Sequence, residues 1–341
     1  MDEHKNRIII FCQAPADVQY VLSLYEEYRS DRKISIFVIN LEGIYHYFQS
    51  LNLTLQDLIF IPYPKNVPLI DIIELIRIKK KINIVNNTYF HELDGQTVYF
   101  FSKYFDWLTA YFVSGISKKN KVYIIDNSGD TISGSMNISG FIITLRKLVY
   151  KYLTSINFRF LKMQSTLLME FPVENYSIKK VSLELNPLVI TKYRVTTATN
   201  NAKSILLFEN NQLAYDFFID YESTMKAIVG LFIKSGYKIY LKPHPRQGYS
   251  DFLKSYIEKI LPSEIPGEFF NPDNFTFIAG IDTNSIAFFA KDYQSKTLSL
   301  LELFNFKREE EKERFHQTQI KLSEGNIFFV RSISELQQLI T

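Results

Sequence analysis

Short runs of β-branched and aromatic residues recur along this chain, each separated from the next by an amphipathic segment, and the alternation begins again past the midpoint. In the first half RIIIF (7–11), KISIFVI (33–39), DLIFIPY (57–63), KKINIVN (80–86) and KVYIID (121–126) read as strands. ADVQYVLSLYEEYRS (16–30) reads as a helix, and 67–79 and 97–115 have helical length and periodicity. In the second half KSILLF (203–208), YKIYL (237–241), FTFIAG (275–280) and NIFFV (326–330) read as strands. Helices are expected over 212–235, over 249–260, from about Ser285, and over 332–340, where Ser332 and Glu335 form a capping box. Strands alternating with helices need right-handed crossovers and settle into parallel sheets. The expected class is α/β, with two Rossmann-like halves facing a cleft. At 341 residues the chain exceeds one core of about 150 residues. The expected division is 1–185 and 186–341, with an irregular join between 165 and 200.

Several function classes drop out. No GxGxxG follows any strand and no GxxxxGK[ST] occurs, which disfavours dehydrogenase-type dinucleotide binding and P-loop phosphoryl transfer. A single cysteine, Cys12, excludes an internal disulfide framework and a Cys-built zinc site. It lies in an apolar run and reads as a small core residue. Net charge is +3, too weak to indicate nucleic acid. The opening MDEHKNRIIIF is charged and runs straight into a strand, unlike a secretory leader. The most apolar window, 98–116, is interrupted by Lys103 and Asp106, unlike a membrane span. A cytoplasmic location is expected.

Residues 131–169 contain no Asp or Glu in 39 positions but carry Arg146, Lys147, Lys151, Arg159 and Lys162 among apolar residues such as Phe141, Ile142, Leu145 and Leu148. Two readings stand: an ordinary packed helix with a basic solvent face, or a basic amphipathic helix resting on an anionic membrane surface at the inner face of the membrane.

Three stretches carry candidate chemistry. YLKPHPRQGY (240–249) places Lys242, His244 and Arg246 beyond the end of a strand, where open α/β sheets bind ligands. Pro243 and Pro245 fix the backbone on both sides of His244. A protonated imidazole there suits a phosphate, to which it can also deliver a proton; the alternative is a surface turn with scattered charge. In YIIDNSGD (123–130), Asp126 closes a strand and enters a Ser/Gly turn, as a general base or as an Asx-turn cap. In LPSEIPGEFF (261–270) and FIAGIDTNSIAFFA (277–290), Glu268 suits a ribose diol. Thr283 and Ser285, after Gly280, mark a strand-to-helix junction fit for phosphate oxygens or simply a helix cap.

Together KPHPR, IPGEFF and AGIDTNSIAFF are similar, in order and spacing, to the His-Pro motif, ribose-binding Glu and Ser/Ser phosphate motif of the bacterial GT-B sialyltransferases. YIIDNSGD resembles a degenerate form of that group's acidic-acidic-Gly motif, with Asn127 in place of the second acid. IIIFCQAPADVQYVLSL resembles the C-x-T-P-x-Q signature of glycosyltransferase family 52, which makes lipooligosaccharide and capsule, with Ala14 for Thr.

The resemblance implies a GT-B fold and an inverting, metal-independent transfer from CMP-sialic acid to a terminal galactose, with no cofactor. It implies Asp126 as general base, with Asp130, Glu209 and Glu222 as alternatives. It implies His244 on the departing CMP phosphate, Glu268 on the ribose, and Thr283 and Ser285 on the phosphate, with Lys242, Pro245, Arg246 and Gly280 completing the donor site. The partners implied are a CMP-sugar donor and a galactose-terminated acceptor; a homodimer is compatible. Another CMP-nonulosonate or nucleotide-hexose donor, or a catalytically weakened glycan-binding paralogue, are the alternatives.

Overall fold

A computed structural model of the chain describes residues 7–62, 67–101, 106–125, 136–137, 140–163, 166–184, 186–196, 203–209, 216–245, 248–281 and 283–341. The chain divides into two compact units, Met1–Val189 and Ile190–Thr341.

The first unit is built on a six-stranded parallel sheet. Its strands are β1 (Arg7–Cys12), β2 (Lys33–Ile39), β3 (Asp57–Ile61), β4 (Thr97–Phe100), β5 (Lys121–Ile125) and β9 (Ile178–Val181), in the order β3-β2-β1-β4-β5-β9. β1 and β2 are apolar almost throughout and buried along nearly their whole length, as parallel strands covered on both faces must be. Helices α1 (Val18–Tyr28), α2 (Glu42–Ser50), α3 (Ile72–Tyr89) and α4 (Trp107–Ile116) make the crossovers. A short antiparallel sheet of β6 (Met136–Asn137), β7 (Arg159–Met163) and β8 (Thr166–Glu170) follows β5, with α5 (Phe141–Thr154) between its first two strands. Phe90, just past α3, sits among aromatic rings, with centroids 5.6 Å from Phe11, 4.8 Å from Phe37 and 4.5 Å from Phe112.

The second unit repeats the winding. α6 (Pro187–Lys192) spans the division, and the second unit carries a parallel sheet of β10 (Ser204–Phe208), β11 (Lys238–Lys242), β12 (Lys259–Ile260), β13 (Phe277–Gly280), β14 (Thr297–Ser299) and β15 (Phe328–Phe329). Its order is β12-β11-β10-β13-β14-β15. Helices α7 (Tyr221–Lys234), α8 (Asn284–Asp292), α9 (Glu309–Leu322) and α10 (Ile333–Ile340) accompany it. Each unit is thus an open parallel α/β sheet of Rossmann type, the class expected from the sequence.

Several elements differ from the sequence expectation. KKINIVN is not a strand: it lies inside α3, whose Leu75, Ile78 and Ile82 are buried at helical spacing. The segment 97–115 opens with strand β4 before α4 begins. Residues 251–256 form a 3-10 turn followed by β12, not a helix to 260. β6, β7, β8, β9, β12 and β14, and helices α6 and α9, lie outside the elements expected from the sequence. The capping box at α10 is half formed: the Ser332 hydroxyl accepts from the Glu335 N–H at 3.1 Å, but Glu335 reaches the Arg331 N–H at 2.6 Å rather than that of Ser332. No helix among the described residues is long and apolar enough to cross a membrane.

Replacing Phe90 by Ala should empty the centre of the aromatic cluster and cost the first unit about 3–5 kcal/mol, read by urea denaturation.

Candidate functional site

In both sheets the chain starts at a central strand, winds outward one way, then returns to continue on the other side. The reversal falls between β10 and β13 in the second unit, and ligands of open α/β sheets bind outside the carboxyl ends of strands at such a point. In the register Phe208 pairs with Lys242 on one side and with Gly280 on the other. Glu209, Pro243 and Ile281 therefore follow immediately at one edge, with His244 one residue further on.

Two glycines shape this edge. A Cβ on Gly267 would lie 2.5 Å from both the Phe208 ring and the Ser285 hydroxyl. A Cβ on Gly280 would collide with the Ile286 side chain and crowd Phe208. Without side chains there, the 3-10 turn Gly267–Phe269 and the start of α8 both close on Phe208. This approach brings Glu268 and Ser285 together: the Ser285 hydroxyl donates to Glu268 Oε1 at 3.0 Å. Thr283 is the N-cap of α8, its hydroxyl oxygen accepting from the Ser285 N–H at 3.3 Å. Behind them the buried Gln319 of α9 donates to the Ile281 carbonyl and accepts from the Ser299 hydroxyl at 2.7 Å, tying α9 to the ends of β13 and β14.

The His-Pro stretch forms a closed loop. His244 N–H donates to the Gly248 carbonyl at 3.0 Å and Gly248 N–H returns to the His244 carbonyl at 2.9 Å, with Gly248 in the left-handed region at φ +72°. His244 is half-buried and Pro245 is exposed. Lys242 points elsewhere. It is buried, and its ammonium donates to the Pro243 and Ser263 carbonyls, each at 2.8 Å, which braces the end of β11 against the segment before Glu268. Burial pushes its pKa down to about 8, against the opposing pull of the Glu268 and Glu264 carboxylates. Arg246 lies outside the described residues.

Of the candidate bases, Asp126 and Asp130 lie outside the described residues. Glu209 sits at the end of β10 but is buried: Oε1 accepts from the Tyr221 hydroxyl at 2.7 Å and Oε2 from the Ser250 N–H at 2.9 Å. Burial raises its pKa, opposed by the bonds from Ser250 and Tyr221. Through Ser250 it anchors the loop that carries His244. Glu222 lies on the first turn of α7, partly exposed, paired with Lys226 at 2.6 Å. Among the described residues no group of three or more His, Cys, Asp and Glu is placed to hold a metal ion.

The first unit has its own reversal, between β1 and β4, at the stretch whose C-x-T-P-x-Q resemblance carried no residue roles. Gln13 Oε1 accepts from Phe101 N–H at 3.0 Å, while Asp17 accepts from Gln13 and Ala14 N–H at 2.8 and 2.7 Å. Asp106 caps α4 through Leu108 and Thr109, and burial raises its pKa. The motif CQAPADVQ forms this corner, with Asp17 at the end of the 3-10 turn Pro15–Asp17, directly before α1.

No protein-family model matches the chain, and no curated protein is detectably similar in sequence. Solved structures are similar at low identity. The UDP-GlcNAc 2-epimerase of Methanocaldococcus jannaschii is 12% identical with a TM-score of 0.46, over 98% of this chain and 91% of that one. CalG4, the calicheamicin glycosyltransferase, is 9% identical with a TM-score of 0.42, over 98% and 89%. The E. coli ADP-heptose LPS heptosyltransferase II is 9% identical with a TM-score of 0.37, over 84% and 81%.

Two measurements probe this architecture. Gly267→Ala should separate the turn from Ser285 and cost about 1–3 kcal/mol in a denaturant titration. Lys242 binds its proton more weakly folded than unfolded, so burial of its charge costs stability below pH 8, and the cost fades as pH rises from about 8 towards 10.5. Wild-type stability should gain about 1–3 kcal/mol across that window relative to Lys242→Met, in which the gain is missing.

Proposed function

We propose that the chain is an inverting, metal-independent glycosyltransferase that moves sialic acid from CMP-sialic acid to a terminal galactose of a bacterial surface glycan, capsule or lipooligosaccharide. The observation that carries this reading is the contact between Glu268 and Ser285 at the reversal point of the second sheet, with Thr283 capping the same helix. A carboxylate suits the two hydroxyls of a ribose. Hydroxyls at a helix start suit phosphate oxygens. The sugar beyond that phosphate would point outward from the sheet edge.

In the proposed reaction a galactose hydroxyl oxygen bonds to the anomeric carbon as the bond from that carbon to the CMP phosphate oxygen breaks. The hydroxyl proton goes to a carboxylate, and CMP departs with the electron pair of the broken bond. His244 meets the phosphate and neutralises or protonates it, the task for which a half-buried imidazole on a closed loop is suited. A single phosphate leaving group can be stabilised by such donors without a divalent ion. Both oxygens of Glu209 hold protein groups, which favours Asp126 or Asp130 for the acceptor proton. Lys242 is assigned to bracing the site.

The test is CMP release from CMP-sialic acid with lactose as acceptor. His244→Ala should lower turnover by about 100-fold or more, and Glu268→Ala should raise the donor KM more than it lowers kcat. Near-normal turnover by His244→Ala would overturn the mechanism. A thermal shift with UDP but not CMP would overturn the donor, and CMP binding without turnover on any galactoside would favour a non-catalytic glycan-binding role.

A further inference from the structure

Helices α3 and α5 pack side by side: Lys79 donates to the Tyr152 carbonyl at 2.8 Å, and its ammonium stands 4.2 Å from the Tyr152 ring centroid. Both helices turn their buried residues, Leu75, Ile78 and Ile82 on α3 and Val149 and Leu153 on α5, into one core. Their outward sides are unlike ordinary solvent faces. Ile72 and Ile73 are 70% and 66% exposed, Phe141 85% and Leu148 59%, with Ile76 and Ile142 also exposed. On α3 the outward residues Ile73, Ile76, Arg77 and Lys80 recur at i, i+3, i+4 and i+7. On α5, Phe141, Leu148 and Tyr152 recur at i, i+7 and i+11.

Charge is concentrated on the same two helices. Within the two helices stand seven cations, Arg77, Lys79, Lys80, Lys81, Arg146, Lys147 and Lys151, against one carboxylate, Glu74. The whole chain carries only +3, so the remainder of the molecule is net negative. The partner is therefore anionic and meets this side in particular. It must also accept large aliphatic side chains, which a nucleic-acid backbone does not. Phosphate headgroups over acyl chains offer both at once.

We propose that the outward faces of α3 and α5 form a single docking plate for an anionic lipid bilayer, with Phe141 and the α3 isoleucines entering the headgroup–acyl boundary and the lysines meeting lipid phosphates. This extends the surface beyond the basic stretch 131–169 to a second helix that is remote in sequence. It is independent of the proposed glycosyl transfer, because binding to lipid involves neither donor nor acceptor.

The test is flotation of the full chain with phosphatidylcholine vesicles containing or lacking about one-third phosphatidylglycerol, at low and high salt. Binding should need the anionic lipid and fall by at least 10-fold in high salt. Lys80→Glu with Lys81→Glu on α3, and separately Lys147→Glu with Lys151→Glu on α5, should each weaken binding roughly 10-fold or more. Ile73→Ser with Ile76→Ser should weaken it as well. All of these side chains are at least partly outside the core, so the variants should keep the wild-type melting transition. A Trp at Phe141 (F141W) should shift its emission to the blue on anionic vesicles and be quenched by brominated acyl chains, over the constant background of buried Trp107. Equal binding to neutral vesicles, α3 variants that bind like wild type, or a dimer in sedimentation velocity that Ile73→Ser/Ile76→Ser abolishes while vesicle binding persists would each overturn the proposal.

Discussion

The strand-end edge of the second unit's sheet depends on the ring of Phe208. It stands at the last residue of the first strand of its sheet, at the point where the winding reverses, and two other segments close on it. Only residues without a Cβ fit at the closest approaches, Gly267 and Gly280. Gly267 is held by sterics and not by backbone angle, since the obstacle is the neighbouring side chains. The contact converts a loop more than fifty residues downstream into a wall of the site. Without it Glu268 and Ser285 would be separate surface groups.

Charge in this unit is distributed by burial as much as by sequence. Lys242 and Glu209 sit at the ends of adjacent strands and are both withdrawn from solvent, yet neither is paired with the other in an ion pair. Each spends its donors or acceptors on backbone or hydroxyl partners instead: Lys242 on two carbonyls, Glu209 on a tyrosine hydroxyl and a backbone amide. Burying a charge is tolerable only with such bonds, and even then the neutral form gains. Hence the lysine pKa falls and the glutamate pKa rises. Two residues that look like chemistry in the sequence hold the frame in which His244 and Glu268 stand.

The fold class was legible because buried parallel strands such as SILLF and KIYLK have no polar interruption, whereas the short strands β12 and β14 offer too few residues to show a pattern. The strand expected at KKINIVN was misread for a physical reason. Its alternation of lysine, isoleucine and asparagine has period two, but the burial pattern that decides is Leu75, Ile78 and Ile82, with Ile84 left exposed. β4 was hidden because TVYF and the following helix form one apolar stretch. α9 was hidden for the opposite reason: its only buried residue is Gln319, so no apolar stripe announces it. Of the candidate site, the contact of Glu268 with Ser285 and the capping by Thr283 join residues that the sequence order had grouped, while Asp126 lies outside the described residues. The close approaches at Gly267 and Gly280, and the direction taken by the Lys242 ammonium, could not be read, because they are set by residues far away in sequence.

The bond between Ser285 and Glu268 makes these two groups each other's placeholder. The hydroxyl proton and the carboxylate oxygen already satisfy each other, so neither carries an unmet desolvation cost. A donor can add to the second oxygen of Glu268 without disturbing this bond, whereas a ligand that only draws away the Ser285 proton leaves Oε1 short of its donor. A ligand that brings a donor for the carboxylate and an acceptor for the hydroxyl, at their fixed spacing, exchanges one hydrogen bond for two. By this bond alone, the corner would favour a molecule that presents a donor and an acceptor together over one that only draws away the hydroxyl proton.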